Sequence, residues 1–298
     1  MLSARYLLVR KGMEKQKADP STSIEAMRRH MARLARLFPA PDGTSHEETT
    51  ISGVYCEWVS TESSRPKDEG PLILYLHGGG YVAGNPASHR HMVSRLCTAA
   101  QGQALVVDYP LAPENPFPAQ IEASLKVYEH LVQNSDPAKL VIVGDSAGGG
   151  LAIATLVAAR DKGRPMPASA VTMSGWFDCS ASQKSITERA KQDPILWPET
   201  IYRLSNYYLG DQDKTQPLAS PLFAELKGLP PLLVQVGTDE ILFDESIALA
   251  EKAKAQGVTV HLDIGENLFH VWQFMARVLP EGAEALERAG TYISESIK

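Results

Sequence analysis

Cysteine is scarce and scattered in this chain. Cys56, Cys97 and Cys179 are odd in number, far apart and without C-x-x-C spacing, which argues against a disulfide framework and a zinc site. Long apolar runs are also missing. The longest, around residues 151–159, is far too short to span a bilayer. Residues 1–17 are interrupted by Arg5, Arg10, Lys11 and Glu14, so they lack the apolar stretch of a signal peptide. A basic excess is absent too, with 29 Lys and Arg against 35 Asp and Glu; this removes the attraction to phosphate backbones on which nucleic-acid binding depends. Repeats and low-complexity tracts are not seen. These absences predict a soluble, cytoplasmic protein with no nucleic-acid partner and no stable membrane insertion.

What is present is an ordinary globular composition. With 298 residues, 44% of them apolar, the chain can bury a large core without covalent staples. Thr22 and Glu25 have capping-box spacing, and Ile24, Met27, Met31 and Leu34 recur on one helical face until Pro39. Arg28, Arg29, Arg33 and Arg36 occupy the other face. Such a helix suits an anionic membrane surface or the body of the protein; with no second membrane signal in the chain, the second reading is taken.

From residue 50 onward short apolar runs alternate with helical patterns. Strands are expected near residues 54–60, 71–77 (PLILYLH), 104–109, 140–145, 170–174, 232–236 and 258–264. Helices are expected at 88–100, 119–134, 147–160, 244–256 and 281–296. Near-continuous apolar strands are buried on both faces, so the fold class is α/β, a mixed but mainly parallel sheet with helices on both sides. Residues 180–226 break this rhythm with Pro194, Pro198, Pro217 and Pro221 around one short helix at 199–209. An insertion of that length suggests a functional lid.

Two motifs carry chemistry. Gly144-Asp145-Ser146-Ala147-Gly148 fits G-x-S-x-G, follows the strand LVIV and opens an apolar helix. Strand, sharp turn and helix are what a nucleophile elbow requires, and Ser146 is the expected nucleophile. His77-Gly78-Gly79-Gly80-Tyr81 follows another strand. Its glycines allow a backbone whose N–H groups converge on one point, as an oxyanion hole needs. Gly79, Gly80 and Ala147 N–H are assigned to that hole, and His77 to a structural role.

The chain resembles the hormone-sensitive-lipase family of α/β-hydrolase esterases through HGGG (77–80), GDSAGG (144–149) and DYPLAPENPFP (108–118). The resemblance runs from about residue 45 onward. Pro110 stands where relatives usually carry Arg. The family implies a helical cap, here about residues 1–45 with the 180–226 insertion on a single domain spanning 1–298. It also implies hydrolysis of short- to medium-chain acyl esters without a cofactor, and homodimers occur among its members.

A serine nucleophile needs a base, and the base needs a carboxylate, in the chain order Ser, acid, His. His261 lies inside the strand pattern VTVHLDI, whereas His270 follows that strand in a loop; His270 is the expected base. Candidate acids are Asp239, Glu240, Asp244 and Glu245. Asp239 ends the strand run at its carboxyl edge, and the family resemblance also favours it, while Asp244 suits a helix cap. Asp145 and Glu114 are expected to hydrogen-bond within loops, and Asp178 to anchor the insertion. Tyr81 and Trp176 are the expected walls of a substrate pocket. No H-E-x-x-H or Cys/His cluster suggests a metal. Amidase or lactonase chemistry would use the same residues. A binding protein on this fold is disfavoured by the presence of His270.

Overall fold

The computed structural model describes residues 2–17, 19–66 and 69–297. Its elements run α1 (Ala4–Gln16), α2 (Ile24–Leu37), β1 (Thr44–Ile51), β2 (Val54–Thr61), β3 (Leu72–Leu76), α3 (Pro86–Ala100), β4 (Gln103–Val107) and α4 (Ala119–Asn134). There follow β5 (Leu140–Asp145), α5 (Ala147–Asp161), β6 (Ser169–Met173), α6 (Ser185–Glu188), α7 (Pro198–Leu209), β7 (Leu232–Gly237), α8 (Phe243–Ala255), β8 (Val260–Gly265) and α9 (Pro280–Ser296). The strands form one sheet in the order β1-β2-β4-β3-β5-β6-β7-β8. β1 and β2 are antiparallel to each other, and β2 is antiparallel to β4. All other neighbours are parallel. The expected α/β class and mixed sheet are thus found.

Side-chain alternation divides the core into two layers. On β3, Leu72, Leu74 and Leu76 enter one cluster with Ile121 and Leu125 of α4, the apolar residues of α5 and Leu249 of α8. Ile73 and Tyr75 enter the other, with Met92, Val93 and Leu96 of α3 and Leu286 and Ile293 of α9. Every residue of β3 is buried, because a parallel strand covered by helices on both faces has no solvent side. The glycines of α5 let it approach the sheet closely: a Cβ on Gly148 would stand 2.0 Å from the Leu76 carbonyl oxygen. That approach brings the N-terminus of α5 to the carboxyl edge of the sheet.

Three local features differ from the sequence reading. β1 was not expected, because TSHEETTI is largely polar and exposed. It pairs only with β2, through the two-residue turn Ser52–Gly53, whose φ values of 52° and 82° suit a hairpin. α1 was not expected either; Gly12 within it weakens the helical signal, and the buried Tyr6 with half-buried Val9 and Met13 form too narrow an apolar face to stand out. The cap of α2 is Ser23 rather than Thr22, its side chain accepting from the Ala26 N–H at 3.2 Å.

The basic helix α2 lies on the protein body. Ile24, Met27 and Met31 pack on the core. Arg28 forms a bidentate pair with Glu114 at 2.7 Å and also donates to the Val82 and Ala112 carbonyls. Glu114 thus bonds to α2 as well as to the backbone of its own loop. No described helix is long and apolar enough to cross a membrane.

Candidate active site

Ser146 sits between β5 and α5 with φ 51° and ψ −124°, a backbone conformation that costs energy for any non-glycine residue. Its carbonyl is fixed by the N–H groups of Gly149 and Trp176, and its own N–H donates to the Met173 carbonyl. The turn therefore holds Ser146 at the tip of the central strand, with its hydroxyl over the positive end of a helix buried from Ala147 to Ala159.

His270 lies in the segment after β8, as expected. Its Nε2 is 3.0 Å from Ser146 Oγ, and its Nδ1 is 2.9 Å from Glu240 Oε2. The sequence reading placed Asp239 in that second position, and the structure corrects it. The Asp239 carboxylate turns to the other side of the turn after β7 and pairs with Arg10 of α1. Glu240 is fully buried and points inward. Its Oε1 accepts from the Gly237 N–H and the Ser174 hydroxyl, each at 2.6 Å.

Ser174, in the loop after β6, links Glu240 to the turn that carries His270. Its oxygen also accepts from the Val271 N–H at 3.0 Å. Val271 itself is at φ 48°, an unfavourable setting for a β-branched residue, so His270 is presented on a strained turn. Sequence reasoning assigned Ser174 no function. Only the polar residue that closes the apolar run AVTM could have drawn notice to it.

Charge around His270 is arranged to favour the imidazolium. Burial pulls its pKa down, but the hydrogen bond and charge of Glu240, together with the buried Asp193 and Asp145 carboxylates, raise it above the ordinary histidine value. Asp193 comes from the insertion. Its carboxylate accepts from the N–H groups of Ile195, Leu196 and Ile241, tying that segment to the residue after Glu240.

The glycine loop after β3 faces Ser146. Gly79 and Gly80 have φ 117° and 64°, and neither N–H has a backbone acceptor among the described residues. Ala147 N–H, at the first turn of α5, has no partner within the helix. A Cβ on Gly79 would stand 2.2 Å from the Ala83 carbonyl oxygen. His77 is structural: buried, it stacks on Tyr109 with 4.2 Å between centroids, and burial drags its pKa down to about 3. Asp145 bonds within the site, accepting from the Tyr75 hydroxyl at 2.7 Å and the Gly78 N–H at 3.0 Å.

A cavity of about 740 Å³ opens onto Ser146 and His270. Its walls include Met13 of α1, Met27 and Met31 of α2, Leu204 of α7, Phe274 and the expected Trp176. Tyr81, the other expected wall, is 1% exposed and is not among the lining residues; it stacks on Tyr208 at 3.8 Å behind Trp176. Asp178 binds its own turn through Ser180 and Ser182 at the start of the insertion, as expected. Asp244 does not cap α8. It accepts instead from the Ser185 N–H of α6 at 2.9 Å. Glu245 is buried and accepts from the Phe177 N–H.

Known proteins share this arrangement of elements. A family profile of the α/β-hydrolase fold matches residues 73–274. An acetyl-hydrolase of Streptomyces hygroscopicus is 38% identical over 295 residues, 98% of this chain and 97% of its own length. An esterase of Acinetobacter venetianus is 35% identical, covering 88% of this chain and 86% of its own. Among solved structures, an esterase/lipase from an uncultured bacterium superposes with a TM-score of 0.94 at 43% identity over 99% of both chains. An esterase described as from the bacterial hormone-sensitive lipase family gives 0.95 at 40% identity over 100% of both. With its fold and its whole length matched in this way, the chain belongs to the hormone-sensitive-lipase family of α/β-hydrolase esterases.

Proposed function

We propose that this protein is a serine carboxylesterase acting on short- to medium-chain acyl esters through Ser146, His270 and Glu240. The observation that carries the reading is the continuous chain of contacts Ser146 Oγ–His270 Nε2 and His270 Nδ1–Glu240 Oε2, at 3.0 and 2.9 Å. His270 takes the Ser146 proton as the oxygen attacks the ester carbonyl, and Glu240 fixes the tautomer and stabilises the imidazolium without taking a proton itself. Negative charge then develops on the carbonyl oxygen, where the N–H groups of Gly79, Gly80 and Ala147 receive it. His270 returns its proton to the leaving alcohol, and a water activated by the same imidazole releases the acid from Ser146.

Substrate size follows from the cavity. A volume of about 740 Å³ lies in the range of small-molecule sites, and its methionine and leucine walls suit an acyl chain or an apolar alcohol. Residues of α1, α2 and α7 roof it, so the N-terminal segment and the 180–226 insertion act as the cap of a single catalytic domain.

The test is hydrolysis of p-nitrophenyl esters of graded acyl length by the wild type and Ser146→Ala. Turnover that peaks at short or medium chains and vanishes in the variant supports the reading. A folded wild type inactive on every ester refutes it.

A further inference from the structure

The first helix does more than roof the cavity. Arg10, half-way along α1, reaches three separate segments: its guanidinium pairs with the Asp239 carboxylate and donates to the Gln192 carbonyl at 2.9 Å and the Asn267 carbonyl at 3.4 Å. Tyr6, one turn earlier, is fully buried. Its hydroxyl donates to the same Asn267 carbonyl at 2.5 Å, and its ring stacks on Phe269 at 5.2 Å with 16° between planes. Asp239 immediately precedes Glu240, and Phe269 immediately precedes His270. One helical face therefore grips the two turns that deliver the acid and the base.

We infer that Arg10 and Tyr6 are positioning residues for the triad, so that the His270–Glu240 contact is held in register only while α1 is docked. The inference rests on the esterase reading above.

The grip lies where the two turns need it. They already touch through the Asp239 N–H on the Leu268 carbonyl at 3.1 Å and the Asn267 N–H on Thr238 Oγ1 at 2.7 Å. Glu240 is further fixed from the protein body by Gly237 and Ser174. The base turn is more exposed to displacement. Its Asn267 and Val271 both have positive φ, and Tyr6 and Arg10 press on it from the outer side. The Arg10–Asp239 pair is largely shielded, with side-chain exposures of 19% and 15%. Removing either partner leaves the other charge stranded beside the triad. Because the same helix carries Val9, Gly12 and Met13 into the cavity wall, lifting α1 opens the cavity and loosens the triad together.

Steady-state hydrolysis of p-nitrophenyl butyrate tests this with Arg10→Ala, Asp239→Asn, their double variant, Arg10→Lys and Tyr6→Phe. Inactivation by a small sulfonyl fluoride is measured in parallel, because it reports Ser146 reactivity without a filled acyl pocket. Arg10→Ala and Asp239→Asn are each expected to lower kcat about ten- to a hundredfold with KM changed by less than about threefold, the cost of a displaced catalytic group. The double variant should be no worse than the poorer single one, and Arg10→Lys should recover part of the loss. Inactivation should slow by the same factors as kcat. If Arg10→Ala fails to fold, Asp239→Asn and Tyr6→Phe, which keeps the ring stack, carry the same comparison. Unchanged kcat and inactivation rates, or a rise in KM alone, would overturn the inference and leave α1 as a cavity wall only. Loss of wild-type activity in Ser146→Ala is scored separately, so failure of the esterase reading is distinguishable.

Discussion

His270 and Glu240 meet through a 2.9 Å contact in which the carboxylate is wholly buried and its second oxygen is already bound by Gly237 and Ser174. The imidazole is therefore held from behind by a group that cannot swing away, and the Nδ1 proton is kept on the side away from Ser146. This relationship sets the expected response of the enzyme to pH and to substitution.

Activity should rise with pH through the His270 titration, because only the neutral imidazole accepts the serine proton. Burial alone would lower that pKa, but Glu240, Asp193 and Asp145 outweigh it, so the acid limb of kcat/KM should lie above the usual histidine value of about 6.5. Glu240→Gln should move the limb down. The stability consequence has a defined sign. With the folded pKa raised, protonated His270 favours the folded state fully below the unfolded pKa, and this contribution disappears as pH rises through the folded pKa. A kcat/KM profile and thermal melts across that window check both.

Ser174→Ala removes a hydroxyl that donates to Glu240 and accepts from Val271. A hydrogen bond to a charged group is worth about 1.5–3 kcal/mol, so kcat should fall by about ten- to a hundredfold with little change in KM. Steady-state kinetics on a short-chain ester give the comparison.

Gly79→Ala should damage the oxyanion loop in two ways. Its Cβ collides with the Ala83 carbonyl, and φ 117° is strained for alanine. Displacing one oxyanion donor costs about 10²–10³ in kcat. Gly53→Ala, in the exposed β1–β2 turn at φ 82°, serves as the control, since a Cβ there meets nothing within 4 Å, and it should leave kcat near the wild-type value.

The anchor of α2 should be asymmetric. The Glu114 carboxylate is pulled down to about 2 by the Arg28 hydrogen bond, yet it is exposed, so Glu114→Gln should cost no more than about 1 kcal/mol. Arg28→Ala also strips donors from the Val82 and Ala112 carbonyls and should cost more, about 1–3 kcal/mol. Denaturant melts of the two variants separate these effects.

Much of this architecture was legible before any coordinates. Apolar strands alternating with helices at 71–77, 140–145 and 232–236 fixed the α/β class, and the glycine loop and serine turn each lay against the strand that presents them. His270 could be placed because a loop after the last strand was the remaining position for a base. The acid could not. Asp239 and Glu240 are adjacent on one tight turn, where neighbouring side chains point to opposite sides, and spacing does not say which side faces the histidine. The deciding partner, Arg10, lies 229 positions away on a helix whose apolar face is too narrow to show periodicity. β1 was hidden for a related reason. It is an edge strand, so the burial that writes a pattern into sequence is missing, and only the Ser52–Gly53 turn marked it. Tyr81 was misread as a pocket wall because its closeness to the glycine loop in sequence does not reveal the stack with Tyr208 that turns it inward.

The central claim is that Glu240, rather than its neighbour, serves His270, and the most direct measurement is kcat for Glu240→Gln beside Asp239→Asn on one short-chain ester. Loss of the orienting carboxylate should cost on the order of 10⁴, leaving Glu240→Gln at least a hundredfold slower than Asp239→Asn. A crippled Asp239→Asn beside a nearly normal Glu240→Gln would contradict the account.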